Sequence, residues 1–230
     1  MTRRTTDALI EELGRGLRPV RPIPRLRVVL AIAVLLAGVG ASWDLVRVGP
    51  RPDLSGLLAR SLSFAAIAAG LVLLAAGATL WVTGSSVPGR ERVAAIGRAL
   101  SIAGGALALL IAPLSVLLAA HDPARLPVAS DVGCLIASIL LGLVPALWLV
   151  VFTRWAAPPR LTLTGAAGIS AGVAAGALAI HASCPASEAW HWVFGHAVAP
   201  LLAALLALPL FALVRRLRGS ETVSKRVNLS

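Results

Sequence analysis

The chain has 230 residues, 58% of them apolar and only 13% charged, with a formal net charge of +11 and a mean hydropathy of +0.87. A soluble domain carries about 25% charged residues, so a soluble enzyme, a disordered regulator and a disulfide-dense secreted module are excluded. The excess of positive charge would suit nucleic acid, but where the charges lie gives it another cause.

Residues 1–26 are polar and too few to bury a core, yet they are patterned. Thr6 is placed as an N-cap, with Asp7, Glu11 and Glu12 near the positive end of a helix dipole. Leu9, Ile10, Leu13 and Leu17 recur at helical spacing and form a narrow apolar stripe. Gly14 and Gly16 weaken this short amphipathic helix, and the stretch from Arg18 to Pro24 continues it as a stiff spacer. Such a helix either lies on the membrane or docks in a partner's groove. Its acidic polar face suits an anionic bilayer poorly, which favours a protein partner.

Six apolar stretches follow, near residues 27–43, 62–82, 99–120, 132–152, 164–182 and 192–214. Each is long enough to cross about 30 Å of hydrocarbon as a helix. The runs are continuous rather than alternating, which points to an all-α membrane protein with six transmembrane helices and not to a barrel. The first stretch has the look of a signal peptide, with Arg25 and Arg27 before it and small residues from Gly38 to Ser42. A long polar lead and five further spans make it an uncleaved anchor. In the fifth stretch Gly168, Gly172 and Gly176 repeat every four residues, so one face lacks side chains and lets another backbone approach. That face serves packing within the chain or, alternatively, a homodimer. Pro113, Pro145, Pro200 and Pro209 should kink or loosen their helices. The organisation is a segment 1–26, a membrane domain 27–214 and a basic tail 215–230.

Six spans place both termini on one side, and the bias of Lys and Arg decides which. The N-terminal segment, the 83–98 and 153–163 loops and the tail together hold 17 of the 21 basic residues. Both termini are therefore expected in the cytoplasm of a multi-pass protein of the bacterial inner membrane. Topology and anionic lipid account for the charge without nucleic acid. The six tryptophans fall near the two interfaces, as an aromatic belt would.

The two cysteines and four histidines all fall toward the opposite, outer side: His121, Cys134, His181, Cys184, His191 and His196. If spans four and five are neighbours, Cys134 and Cys184 can come within disulfide range. The pair is then either a structural brace or a redox or soft-metal sensor, with His181 or His191 as further ligands. The spacing matches no zinc-binding motif and there is no Cys-x-x-Cys, so neither a metal site nor a catalytic thiol is assigned.

The stretch from Thr6 to Leu13, the segment Leu17 to Pro22 and the six spans resemble the NrsF family of membrane anti-sigma factors. So do Cys134, Pro145 and Trp148, the run from Arg154 to Pro158 leading to Gly165 and Gly168, and Cys184-Pro185 with Trp190 and Trp192. One departure concerns a histidine that the family places directly before the second cysteine; here His181 stands three residues earlier. The resemblance implies a protein, not an enzyme and without cofactor, that holds an extracytoplasmic-function sigma factor at the membrane and frees it on an envelope signal. Residues Asp7, Leu9, Ile10, Glu11, Leu13 and Leu17 would dock the sigma factor, and Cys134, Cys184, His181 and His191 would sense a metal or an oxidant. The rival reading is a small transporter of a metal or small molecule, which needs a polar path through the bundle where only scattered Ser and Thr are seen.

Overall fold

The computed structural model describes residues 24–119, 128–156 and 161–227, without the side chains of 119, 154, 155 and 214–227. The residues expected to dock a partner, Asp7, Leu9, Ile10, Glu11, Leu13 and Leu17, and also His121, lie outside the described residues. Among the described residues six helices are long and apolar enough to cross a membrane: Leu26–Val48, Leu62–Ser85, Glu91–Leu118, Ala129–Thr153, Leu161–Ser183 and Ala189–Leu213. They are called spans one to six below. A short helix, Leu54–Arg60, lies between spans one and two. The helix of span six runs on to Val227, so the basic stretch after residue 214 extends it.

Span five is the centre of the bundle. Of its most apolar window 72% is buried, against 11% in span one, and it packs on spans one, two, four and six. Glycine makes this possible, because without a hydrophobic force in lipid helices associate by close backbone contact. A Cβ added at Gly172 would lie 2.3 Å from the Ala146 nitrogen, and one at Gly176 would lie 2.4 Å from the Ser138 carbonyl oxygen. Gly142 of span four answers them, with its Cβ position 2.4 Å from the Gly172 carbonyl oxygen. The glycine face of span five is thus spent on span four, within the chain.

A second glycine seam joins spans two and three. Gly70, Gly77 and Gly84 recur every seven residues and meet Gly104, Ser101 and Ala94 at distances no side chain could occupy. A seven-residue repeat keeps one seam facing the partner along both helices. Large side chains such as Leu35, Leu118, Leu140 and Leu206 are exposed on the outer surface of the bundle, where the hydrocarbon would cover them.

The prolines act in two ways. Pro113 and Pro200 each follow a π-helical turn, Leu107–Ile111 and Val193–Ala197. A proline has no N–H to give the carbonyl four residues back, and a wider turn absorbs the mismatch. Pro145 and Pro209 sit inside uninterrupted α-helix. The tryptophan belt also needs correction on one side: Trp190 and Trp192 are buried, with Trp192 edge-on to Phe64. Both rings belong to the core beneath the site rather than to a lipid interface.

Candidate functional site

Cys134, Cys184, His191 and His196 converge at the end of the bundle where spans one, three and five finish. The two sulfurs are 3.8 Å apart and both thiols are free. His191 Nε2 lies 3.3 Å from the Cys184 sulfur. The four ligand atoms all lie within 4.8 Å of one another.

Local structure explains the convergence. Cys134 sits in the second turn of span four, and Cys184 directly follows span five, the neighbour against which span four is zipped by glycine. His191 and His196 are five residues apart, which on an α-helix would turn them about 140° from each other. The π-turn at Val193–Ala197 closes its bond from Val198 N–H to the Val193 carbonyl instead, and so brings both rings to one side. Their centroids are 5.4 Å apart. Gly195, inside that turn, lets span four come close, since a Cβ there would stand 3.1 Å from the Cys134 Cβ.

Asp131 fixes the orientation of His191. Its Oδ2 accepts the Val128 N–H at 2.8 Å, which caps the start of span four. Its Oδ1 is 2.7 Å from His191 Nδ1. Only a protonated Nδ1 donates there, so the neutral ring presents the lone pair of Nε2 to the sulfurs. Both side chains are buried, and His196, fully buried, has no hydrogen-bond partner on either nitrogen. An unpartnered buried imidazole costs about 1–3 kcal/mol unless something occupies its lone pair.

Arg51 closes the other side. Its guanidinium, 5% exposed with the rest of the residue, donates to the Cys184 carbonyl at 3.0 Å and the Ala186 carbonyl at 2.7 Å. It pairs with Asp53 at 2.6 Å and lies over the rings of Phe64 and Trp192. That hydrogen bond from Arg51 holds the Asp53 carboxyl below the usual carboxylate range. The corner at residues 184–186 is therefore pinned from outside.

Of the residues expected to sense, the structure brings Cys134, Cys184 and His191 together. His181 turns elsewhere: its ring stacks on Phe64 at 3.9 Å and its Nε2 is 3.2 Å from the Phe64 carbonyl oxygen. Its ring lies 5.2 Å from that of His196. Sequence reasoning did not select His196, Asp131 or Arg51. For two of them the signal is positional: Asp131 stands one turn before Cys134, and Pro200 follows His196 closely enough to disturb its helix.

Chemically the site offers a thiol pair able to be oxidised and a set of two sulfurs and two imidazole nitrogens able to hold a metal ion. A family model described as NrsF, negative regulator of sigma F, matches residues 13–217. No curated protein and no solved structure matches the chain.

Proposed function

Since the chain belongs to the NrsF family of negative regulators of sigma F, we propose that it is a membrane-bound anti-sigma factor and not an enzyme. Residues 1–26 hold an extracytoplasmic-function sigma factor inactive at the cytoplasmic face of the bacterial inner membrane. An envelope signal, redox or metal, received near Cys134 and Cys184 on the outer face releases it. The observation that carries this reading is the family match across nearly the whole chain. The separation of chemistries supports it: both thiols and the His191 and His196 imidazoles gather at one end of the bundle, and most Lys and Arg belong to segments at the other. In this scheme span one joins the two, since its first turn follows residues 1–25 directly.

Docking would bury Leu9, Ile10, Leu13 and Leu17 in a groove of the sigma factor. Full-length protein in detergent should co-purify with an extracytoplasmic-function sigma factor of the same genome. Leu9→Asp and Leu13→Asp should each weaken capture at least tenfold, because a buried carboxylate without a partner costs several kcal/mol. Undiminished capture by both variants would remove residues 1–26 as the docking element. No capture by the wild-type protein would remove the anti-sigma reading.

A further inference from the structure

We propose that Cys134, Cys184, His191 and His196 form a four-coordinate site for a thiophilic divalent cation of the zinc class, with Asp131 as the positioning residue for His191. This rests on the reading of the thiol pair as the signal receiver and names the ligand it receives. Zinc-class ions bind sulfur at about 2.3 Å and imidazole nitrogen at about 2.0–2.1 Å in a tetrahedron. Such a tetrahedron has edges of about 3.3–3.8 Å. The sulfur–sulfur distance of 3.8 Å and the sulfur–nitrogen distance of 3.3 Å are edges of that size.

Three further observations point the same way. His196 is fully buried with neither nitrogen in a well-formed hydrogen bond, and one of them lies within 4.8 Å of both sulfurs. His191 has its far nitrogen engaged by a carboxylate, the arrangement that fixes the tautomer and orientation of a metal-ligating imidazole. Charge also balances. On binding, each thiol gives its proton to solvent, and two thiolates with two neutral imidazoles neutralise a dication. A neutral set can stay in a buried place where a bare charge could not.

Co2+ reports the geometry, because four-coordinate and six-coordinate cobalt differ strongly in visible absorption, and Cd2+ reports the affinity. With full-length reduced protein in nanodiscs, one Co2+ per chain with intense four-coordinate bands and thiolate charge transfer is expected. Asp131→Asn should keep the spectrum and weaken Cd2+ binding about 10–100-fold. His196→Ala should weaken it more and alter the spectrum, and His181→Ala should change neither. A six-coordinate spectrum, or Cd2+ affinity unmoved by both His191→Ala and His196→Ala, would overturn the site. The two readings fail separately. Cation binding without effect on sigma capture would leave the site and remove its signalling role. Release of the sigma factor by a thiol oxidant in a protein that takes no cation would keep the sensor and remove the site.

A different observation concerns span one. Only Val29 and Ala33 of its 23 residues are buried. Beside these two residues a cavity of about 820 Å³ opens between it and spans two, four and five, lined by apolar groups including Val34, Leu45, Val72, Leu149 and Leu178. Two polar ties hold span one at either end of this cavity. Trp148 Nε1 donates to the Val29 carbonyl at 3.2 Å at one end, and Ser183 Oγ donates to Asp44 Oδ2 at 2.5 Å at the other. Ser183 directly precedes Cys184. We infer that the Asp44–Ser183 hydrogen bond is the latch through which a change at Cys184 reaches span one, and with it the segment before residue 26. A signal can bias a loosely packed element only through a contact that differs between states.

Hydrogen exchange of full-length protein in nanodiscs tests the latch. Asp44→Ala and Ser183→Ala should raise exchange at residues 43–49 several-fold while spans four and five keep wild-type protection. In the wild type, exchange at 43–49 should shift when the thiols are loaded with Cd2+ or oxidised by diamide. That oxidation joins the two sulfurs while both electrons and both thiol protons pass to the azo bond of diamide. Wild-type exchange at 43–49 that ignores both treatments, or variants indistinguishable from wild type, would overturn the latch. A protein whose thiols react with neither reagent would take down the sensor reading and the latch together.

Discussion

Gly172→Leu is expected to disassemble the centre of the bundle. The first carbon of any side chain at 172 would stand 2.3 Å from the Ala146 nitrogen and 2.6 Å from its Cα. Both are backbone, so no rotamer change relieves the clash, and spans four and five must separate. Overpacking of a tight core costs about 1–3 kcal/mol, occasionally more. Here the larger end of that range applies, because the helices would also lose contact along Gly142 and Gly176. Intrinsic tryptophan fluorescence during thermal unfolding in detergent should show a clear fall in Tm. Gly105→Leu is the control, since nothing lies within 4 Å of a Cβ there. It should change stability by no more than about 1 kcal/mol, the helix-propensity gain over glycine. Equal Tm values for the two variants would mean that the glycine seam does not hold spans four and five together.

The second large effect is expected at Arg51. Replacement by Leu keeps apolar contact with Phe64 and Trp192 but leaves the buried Cys184 carbonyl without its Arg51 donor, while the Ala186 carbonyl keeps the Trp192 indole N–H at 2.8 Å. A stranded buried carbonyl costs about 1–3 kcal/mol, and a loss of about that size is expected on this principle. Asp53 adds little, because its side chain is 55% exposed and water can replace the partner. The functional consequence follows from position. Arg51 holds the corner that carries Cys184, so its removal should speed alkylation of that thiol by a membrane-impermeant maleimide at least tenfold. Arg51→Lys restores a charge but not the planar group that serves both carbonyls from Nη1 while Nε and Nη2 hold Asp53, and should recover only part of the protection. Alkylation at the wild-type rate in Arg51→Leu would show that the corner is held by the backbone alone.

Much of the architecture was legible because lipid simplifies the problem. A span must be apolar for about 20 residues and must satisfy its backbone within itself, so hydropathy alone places six helices. Helix ends were less legible. Span three begins at Glu91 rather than near residue 99. Its first turns carry Glu91, Arg92 and Arg98, and a hydrogen-bonded helix continues past the hydrocarbon that hydropathy detects. The glycines of span five announced a close approach. The equivalent seam of spans two and three went unread, because its glycines are seven residues apart and not four.

The candidate site was legible only in part. Cys134, Cys184 and His191 could be grouped because topology puts them on one side of the bundle. His181 was grouped with them on the same ground, yet its ring packs on Phe64. Side of membrane is a one-dimensional coordinate and does not report which way a helix faces.

Sequence alone determined the class of protein, the number of spans, the segregation of basic residues from thiols and imidazoles, and the family resemblance. Each of these follows from composition or order along the chain, and none needs a distance. Tertiary structure decided which groups meet. The π-turn just before Pro200 rotates His196 onto the face of His191, and the glycine seam of spans four and five sets Cys134 beside Cys184. Asp131 caps one helix while it orients a ring on another, and Arg51 reaches the carbonyl of a residue 133 positions away. These contacts depend on helix rotation and register within about an ångström. Hydrophobic patterning constrains such details weakly in a bundle that is apolar on every side.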